Sequence, residues 1–159
     1  MKNLGAKLAR QVDWAEARFR QVSEVVSTEP ALPGGWSRKQ VLGHLIDSAS
    51  NNHQRFVRAN FVDDLIFPGY DQEKWVELGH YAEAPWESLL TLWREFNVQI
   101  ARLMEATPDE VANAPRTRHN LHQLAWRTVP EDQPATLGYF LSDYVDHLEH
   151  HLRQIRGLS

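Results

Sequence analysis

Apolar residues recur at helical spacing along four long stretches of the chain, and no stretch alternates as a half-buried strand does. Leu8, Val12, Ala15, Phe19, Val22 and Val26 step by fours and threes, the seam of a bundle helix running from about Leu4 to Ser27. Glu29-Pro30 and Pro33-Gly34-Gly35 end it. A second helix starts at Ser37, with Gln40 at capping-box spacing and Trp36 placed to pack back as a staple, and it reaches about Asn60. A third starts near Pro85 and carries Leu89, Trp93, Phe96, Ile100 and Leu103. The fourth spans about Ala135 to Arg156, where Gly157 stops it. The pattern predicts an all-α four-helix bundle.

Two connections, roughly 61–84 and 107–134, are long for a small bundle and should hold structure of their own. The first offers a helical turn through Trp75, with Tyr70 and Trp75 at a pocket mouth. The second opens on Thr107-Pro108-Asp109-Glu110, the capped start of a short turn. Either can cross the end of the bundle, so antiparallel order does not follow from the sequence.

The helix faces carry the candidate chemistry. On the fourth helix Leu137, Leu141, Tyr144, Leu148, Leu152 and Ile155 share one apolar face. His151 falls about 50° and His147 about 90° to the same side of its centre, whereas His150 points toward solvent. Asp143, one turn before His147, is placed to orient that ring. On the second helix a polar stripe of His44, Ser48, Asn51 and Arg55 flanks the apolar face of Val41, Leu45, Ala49 and Phe56. Polar groups at the edge of a core cost desolvation energy unless they are paired, so a wet pocket between helices two and four is expected. Neutral imidazoles suit Zn, Ni, Fe or Cu, and three of them leave a coordination position open for water or substrate. His44, His147 and His151 are therefore the expected metal ligands. Asp47 or Asp143 would orient a ligand, and Ser48, Asn51 and Arg55 would position substrate. Arg55, about 16 Å along the helix from His44, is too remote for a metal but suits an anionic substrate end. His53, His80, His119, His122 and His150 are expected on the surface or in loops, with His119 and His122 as reserve ligands.

Composition narrows the class. The 159 residues suit one domain over 1–159. A net charge of −4 with no basic block argues against nucleic acid and anionic membranes. The chain has no cysteine, hence no disulfide and no thiolate of its own. No apolar run resembles a signal peptide or a membrane span, and a cytoplasmic protein is expected.

The segments WSRKQVLGHLIDS (36–48) and DYVDHLEHHLRQI (143–155) resemble the DinB/YfiT-like superfamily. That resemblance covers nearly the whole chain. It implies a four-helix bundle holding a divalent metal, commonly zinc or nickel, through histidines at the positions of His44, His147 and His151. Members include transferases and isomerases that use low-molecular-weight thiols, and metal-dependent hydrolases. A small-molecule substrate is thus implied, with a small thiol as candidate co-substrate. Members often form homodimers, although no residue here argues for one. Three readings stay open: an enzyme activating water or a thiol, a non-catalytic small-molecule or metal-binding bundle, and a structural zinc tying helix two to helix four.

Overall fold

The four amphipathic stretches fold as long helices in a computed structural model that describes residues 1–155. They are α1 (Lys2–Phe19), α3 (Arg38–Ala59), α5 (Trp86–Ala106) and α8 (Leu137–Ile155). Between them lie α2 (Glu24–Ser27), α4 (Gln72–Leu78), α6 (Asp109–Asn113) and α7 (Leu121–Leu124). Among the described residues β-structure is confined to isolated bridges that fasten loops, such as Leu65 with His119 and Arg116 with Ala135. The expected end of the last helix at Arg156 and Gly157 lies outside the described residues.

α5 packs along α1 and α3, and α8 closes the ring by packing on α3 and α1. Consecutive long helices α1 and α3 therefore stand across a diagonal, as do α5 and α8. The segments joining each diagonal pair must cross an end of the bundle, which accounts for the length and local structure of 107–136. Gly5 permits a close approach of α1 to α5, where an added Cβ would lie 2.6 Å from the Ala101 carbonyl oxygen. Through the centre, the buried Tyr144 hydroxyl donates to Asn97 Oδ1 at 2.7 Å, linking α8 to α5. Trp93, Phe19, Phe56 and Leu8 are among the largest fully buried side chains, and the Phe56 ring packs on Tyr144 at 5.7 Å.

Element boundaries follow local hydrogen bonding. Ser37 and Gln40 form the expected capping box of α3. The first helix stops at Phe19 rather than at Ser27 because Ser23 starts a new one, its side chain accepting from the Val26 N–H at 3.2 Å. The apolar seam runs on through Val22 and Val26, but the hydroxyl competes for the backbone. Pro85 stands at the N-cap of α5 rather than inside its first turn. Thr136 caps α8 by accepting from the Tyr139 N–H at 3.0 Å.

Two buried residues hold the long connections together. The Arg116 guanidinium donates to the carbonyls of Ala59 (2.9 Å), Val62 (2.8 Å), Asp64 (3.3 Å) and Val111 (3.3 Å), capping the C-terminus of α3. His119 donates from Nε2 to the Gln133 carbonyl at 2.7 Å and accepts from the Leu121 N–H at 3.2 Å. Both its ring nitrogens serve the loop, so it is no reserve ligand. His122 meets the Gln123 amide at 2.9 Å and also stands outside the histidine cluster described below.

Candidate metal centre

Packing α3 against α8 brings His44, His147 and His151 together. Their ring centroids lie 5.6 Å (His44–His147), 5.0 Å (His44–His151) and 4.6 Å (His147–His151) apart. One nitrogen from each lies within 4.8 Å of the others, close enough to share a single ion after small ring rotations. His44 is buried, and the other two are half-buried on the facing helix. Trp36 and Trp126 flank the group, at 5.5 Å from the His44 ring and 6.2 Å from the His147 ring.

The surroundings fit a cation held by neutral imidazoles. Burial, then the neighbouring His151, pushes the His44 pKa down to about 4. Burial and the adjacent histidines take His147 down to about 3. His151 is lowered too, mainly by burial, against the pull of its bond to Gln154. At neutral pH the three rings are thus uncharged, each keeping a lone pair on one nitrogen. Gln154 Oε1 lies 2.7 Å from His151 Nδ1 and can only accept, so Nδ1 carries the proton and Nε2 keeps its lone pair. Holding a ring in one tautomer from behind is the usual support of a metal-binding histidine. His44 Nδ1 is sealed from solvent without a hydrogen-bond partner. Such an atom costs about 1–3 kcal/mol unless something meets it, and a metal ion is one group that would.

A cavity of about 510 Å³ opens beside the cluster, reached through His44 and His147. Ser48, Asn52 and Arg55 line it from α3, Phe140, Asp143 and Tyr144 from α8, and Tyr70 and Trp126 from the two long connections. Of the expected polar stripe, His44, Ser48 and Arg55 line the cavity and Asn51 does not. Asn51 is absent from the cavity wall and donates to the Asp47 carbonyl at 2.9 Å; Asn52 takes its place. At about 100° per residue the two asparagines straddle the stripe, and only the position of α8 decides between them.

The acidic residues serve other purposes than orienting an imidazole. Asp143 accepts from the Trp126 and Arg127 N–H groups, each at 2.8 Å, and so pins the 125–127 segment over the cavity instead of the His147 ring. Its carboxyl is pushed up by burial, against these two backbone bonds. Asp47 accepts from the Tyr81 hydroxyl at 2.5 Å and does not line the cavity. Burial raises its carboxyl, opposed by the Tyr81 bond, and its second oxygen is sealed without a partner. Gly43 makes room for the tyrosine, since a Cβ there would overlap the Tyr81 ring. Arg55 is buried on the cavity wall; it donates to the Pro68 carbonyl at 2.7 Å and to Asn52 Oδ1 at 3.3 Å. Tyr70 lines the mouth as expected, whereas Trp75 packs on it from outside at 4.8 Å. Gln154, one turn after His151, was readable from helical spacing. Tyr81 and Trp126 were not, because loop residues carry no periodic signal.

A family model of the DinB superfamily matches residues 7–155. The chain belongs to the DinB superfamily. Its relatives include the "Putative metal-dependent hydrolase YfiT" of Bacillus subtilis, 26% identical over 147 residues, which span 90% of this chain and 77% of that protein. A protein of Oceanobacillus iheyensis with the same functional designation is 28% identical over 126 residues, 79% of this chain and 66% of the other. The solved structure of B. subtilis YfiT superposes with a TM-score of 0.76 at 23% identity, covering 99% of this chain and 89% of that one. It is described as a four-helix bundle of unusual topology, and this DinB-superfamily chain shares that fold.

Proposed function

We propose that this protein is a metal-dependent enzyme in which His44, His147 and His151 hold one divalent ion, zinc or nickel, at the head of the cavity. The observation that carries this reading is the set of three neutral imidazoles, one buried and two half-buried, whose nitrogens converge within 4.8 Å beside an open cavity. A divalent ion on three neutral ligands keeps its full charge and supplies a Lewis-acid centre that makes water or a small thiol nucleophilic near neutral pH. Hydrolysis is the reaction the relatives' names favour. Transfer from a thiol is the other reaction such a centre supports, and the thiol must then come from the substrate because the chain has no cysteine.

The chain's own residues supply positioning rather than proton transfer. Ser48 and Asn52 present polar groups along one wall, while Phe140, Tyr144 and Trp126 limit water on the others. Both Asp143 oxygens are engaged, and Asp47 is outside the wall, so neither is placed as a general base. A purely structural zinc would need a fourth protein ligand, and among the described residues the cluster contains only these three groups.

Metal analysis tests the proposal. Protein purified without a histidine tag should carry about one divalent ion per chain. His147→Ala and His151→Ala should each lose most of it while keeping their helical circular dichroism. Absence of metal even after reconstitution with zinc and with nickel would overturn the reading. Metal without turnover, in ester and amide hydrolysis and in thiol–electrophile screens, would leave a binding bundle instead.

A further inference from the structure

Arg55 is the one cationic side chain, histidines aside, among the residues lining the cavity. It is 6% exposed, and no carboxylate among the described residues pairs with it. Its two acceptors, the Pro68 carbonyl and Asn52 Oδ1, are both neutral. A guanidinium has five N–H donors, so most of its fork is unused, and its charge meets only the face of the Tyr70 ring, 5.9 Å away, with no anion beside it. Removing an unpaired charge from water is costly, and an anion in the cavity would offset that cost.

Arg116 supplies a comparison within the same chain. It too is buried without a carboxylate, but it meets four backbone carbonyls at the negative end of α3 and stands away from this cavity. Its charge is answered by the fold. Arg55 lies inside the helix, makes half as many bonds, and faces space that a small molecule can fill.

We infer that Arg55 recognises a carboxylate on the substrate, and that the substrate is an elongated small molecule with this anion at the end remote from His44. The inference deepens the metal-centred proposal and rests on it for the orientation of the substrate. Three features define the class. His44 and Arg55 stand about three turns apart on α3, about 16 Å between their backbone positions, which puts the anion toward the end of the cavity away from His44. Between them the wall offers the rings of Tyr144, Phe140 and Tyr70, which suit an apolar or unsaturated middle. The anion is a carboxylate rather than a phosphate because the single guanidinium shares the cavity lining with Asp71, Glu73 and Asp143. A monoanion balances one guanidinium in planar, two-pronged geometry; a dianion would also face those acidic groups.

Calorimetric titration of the zinc-loaded protein with ω-mercaptoalkanoic acids and the matching mercapto-alcohols, in a series of chain lengths, tests this. The thiol anchors each probe at the metal, so the difference between acid and alcohol reads the remote end. At the best length the acid should bind about tenfold or more tighter than the alcohol. Arg55→Gln should bring the two together while zinc content and alcohol affinity stay as in the wild type. Arg55→Lys, with charge but no fork, should keep part of the preference. Equal binding of acid and alcohol by the wild type, or a preference that survives Arg55→Gln, would overturn the inference. Tighter binding of the matched mercaptoalkyl phosphate would overturn the choice of carboxylate. Should Arg55→Gln fail to fold, the wild-type ratio alone decides. If the protein takes up neither zinc nor nickel, the proposed function fails on its own. The ratio is then read with phenylalkanoates against phenylalkanols on the metal-free chain, where equal binding again overturns the inference.

Discussion

Burial sets the charge state of the three converging histidines, and that has a sign that can be measured. His44 and His147 have pKa values pushed down to about 4 and about 3, from an ordinary 6.5. Below pH 6.5 the unfolded chain takes up protons at these positions while the folded chain does not. Their contribution to stability is therefore complete above about pH 6.5 and is lost as pH falls toward those folded values. The raised carboxyls of Asp47 and Asp143 pull the other way, since the folded state holds their protons more tightly. The useful comparison is thus with His147→Gln. With metal removed by chelator, urea midpoints should fall between pH 6.5 and 4 more steeply in the wild type than in the variant; parallel profiles would contradict the assignment. At this scale the convergence of the histidines was legible, because helical spacing put two on one edge and the polar stripe of α3 marked the third. The choice of Asn52 over Asn51 was not, since it depends on which side the neighbouring helix occupies.

At the scale of elements, Asp143 shows how a helix face can organise a loop. Its carboxylate receives two backbone N–H groups from the segment that carries Trp126, and the Tyr139 hydroxyl adds a bond to the Arg127 carbonyl at 2.7 Å. The α8 face thereby fixes one wall of the cavity. Asp143→Asn keeps the shape but turns one acceptor into a donor facing an N–H. It should cost about 1–3 kcal/mol and expose the Trp126 and Arg127 amides to faster hydrogen exchange, with the α8 amides still protected. Unchanged exchange at both amides would show that the segment is held by something else. The sequence marked Asp143 as important but pointed it at the wrong partner, because an aspartate one turn from a histidine looks the same whether it faces the ring or the loop. The long helices themselves were legible from apolar spacing and caps. Their ends were less so: Ser23 interrupts a seam whose hydrophobic positions continue past it.

For the whole molecule, the cluster joins α3 to α8, helices remote in sequence and adjacent in space. An ion bound there stabilises only the folded chain. At free zinc about a hundred times its dissociation constant the gain should be about 2.7 kcal/mol, seen as a Tm higher by several degrees that depends on zinc concentration. His44→Ala should abolish the dependence; a zinc effect that persists in that variant would place the ion elsewhere. The bundle and its family could be recognised from the sequence, but the diagonal placement of consecutive helices could not. An apolar stripe states that a helix has a neighbour without saying which one. The packing has an optical consequence as well. Trp36 and Trp126 bracket the histidines from opposite connections, each ring within about 6 Å of an imidazole. An open-shell cation seated among those imidazoles would drain the excited state of both indoles, so the native emission of the protein registers occupancy with no label attached.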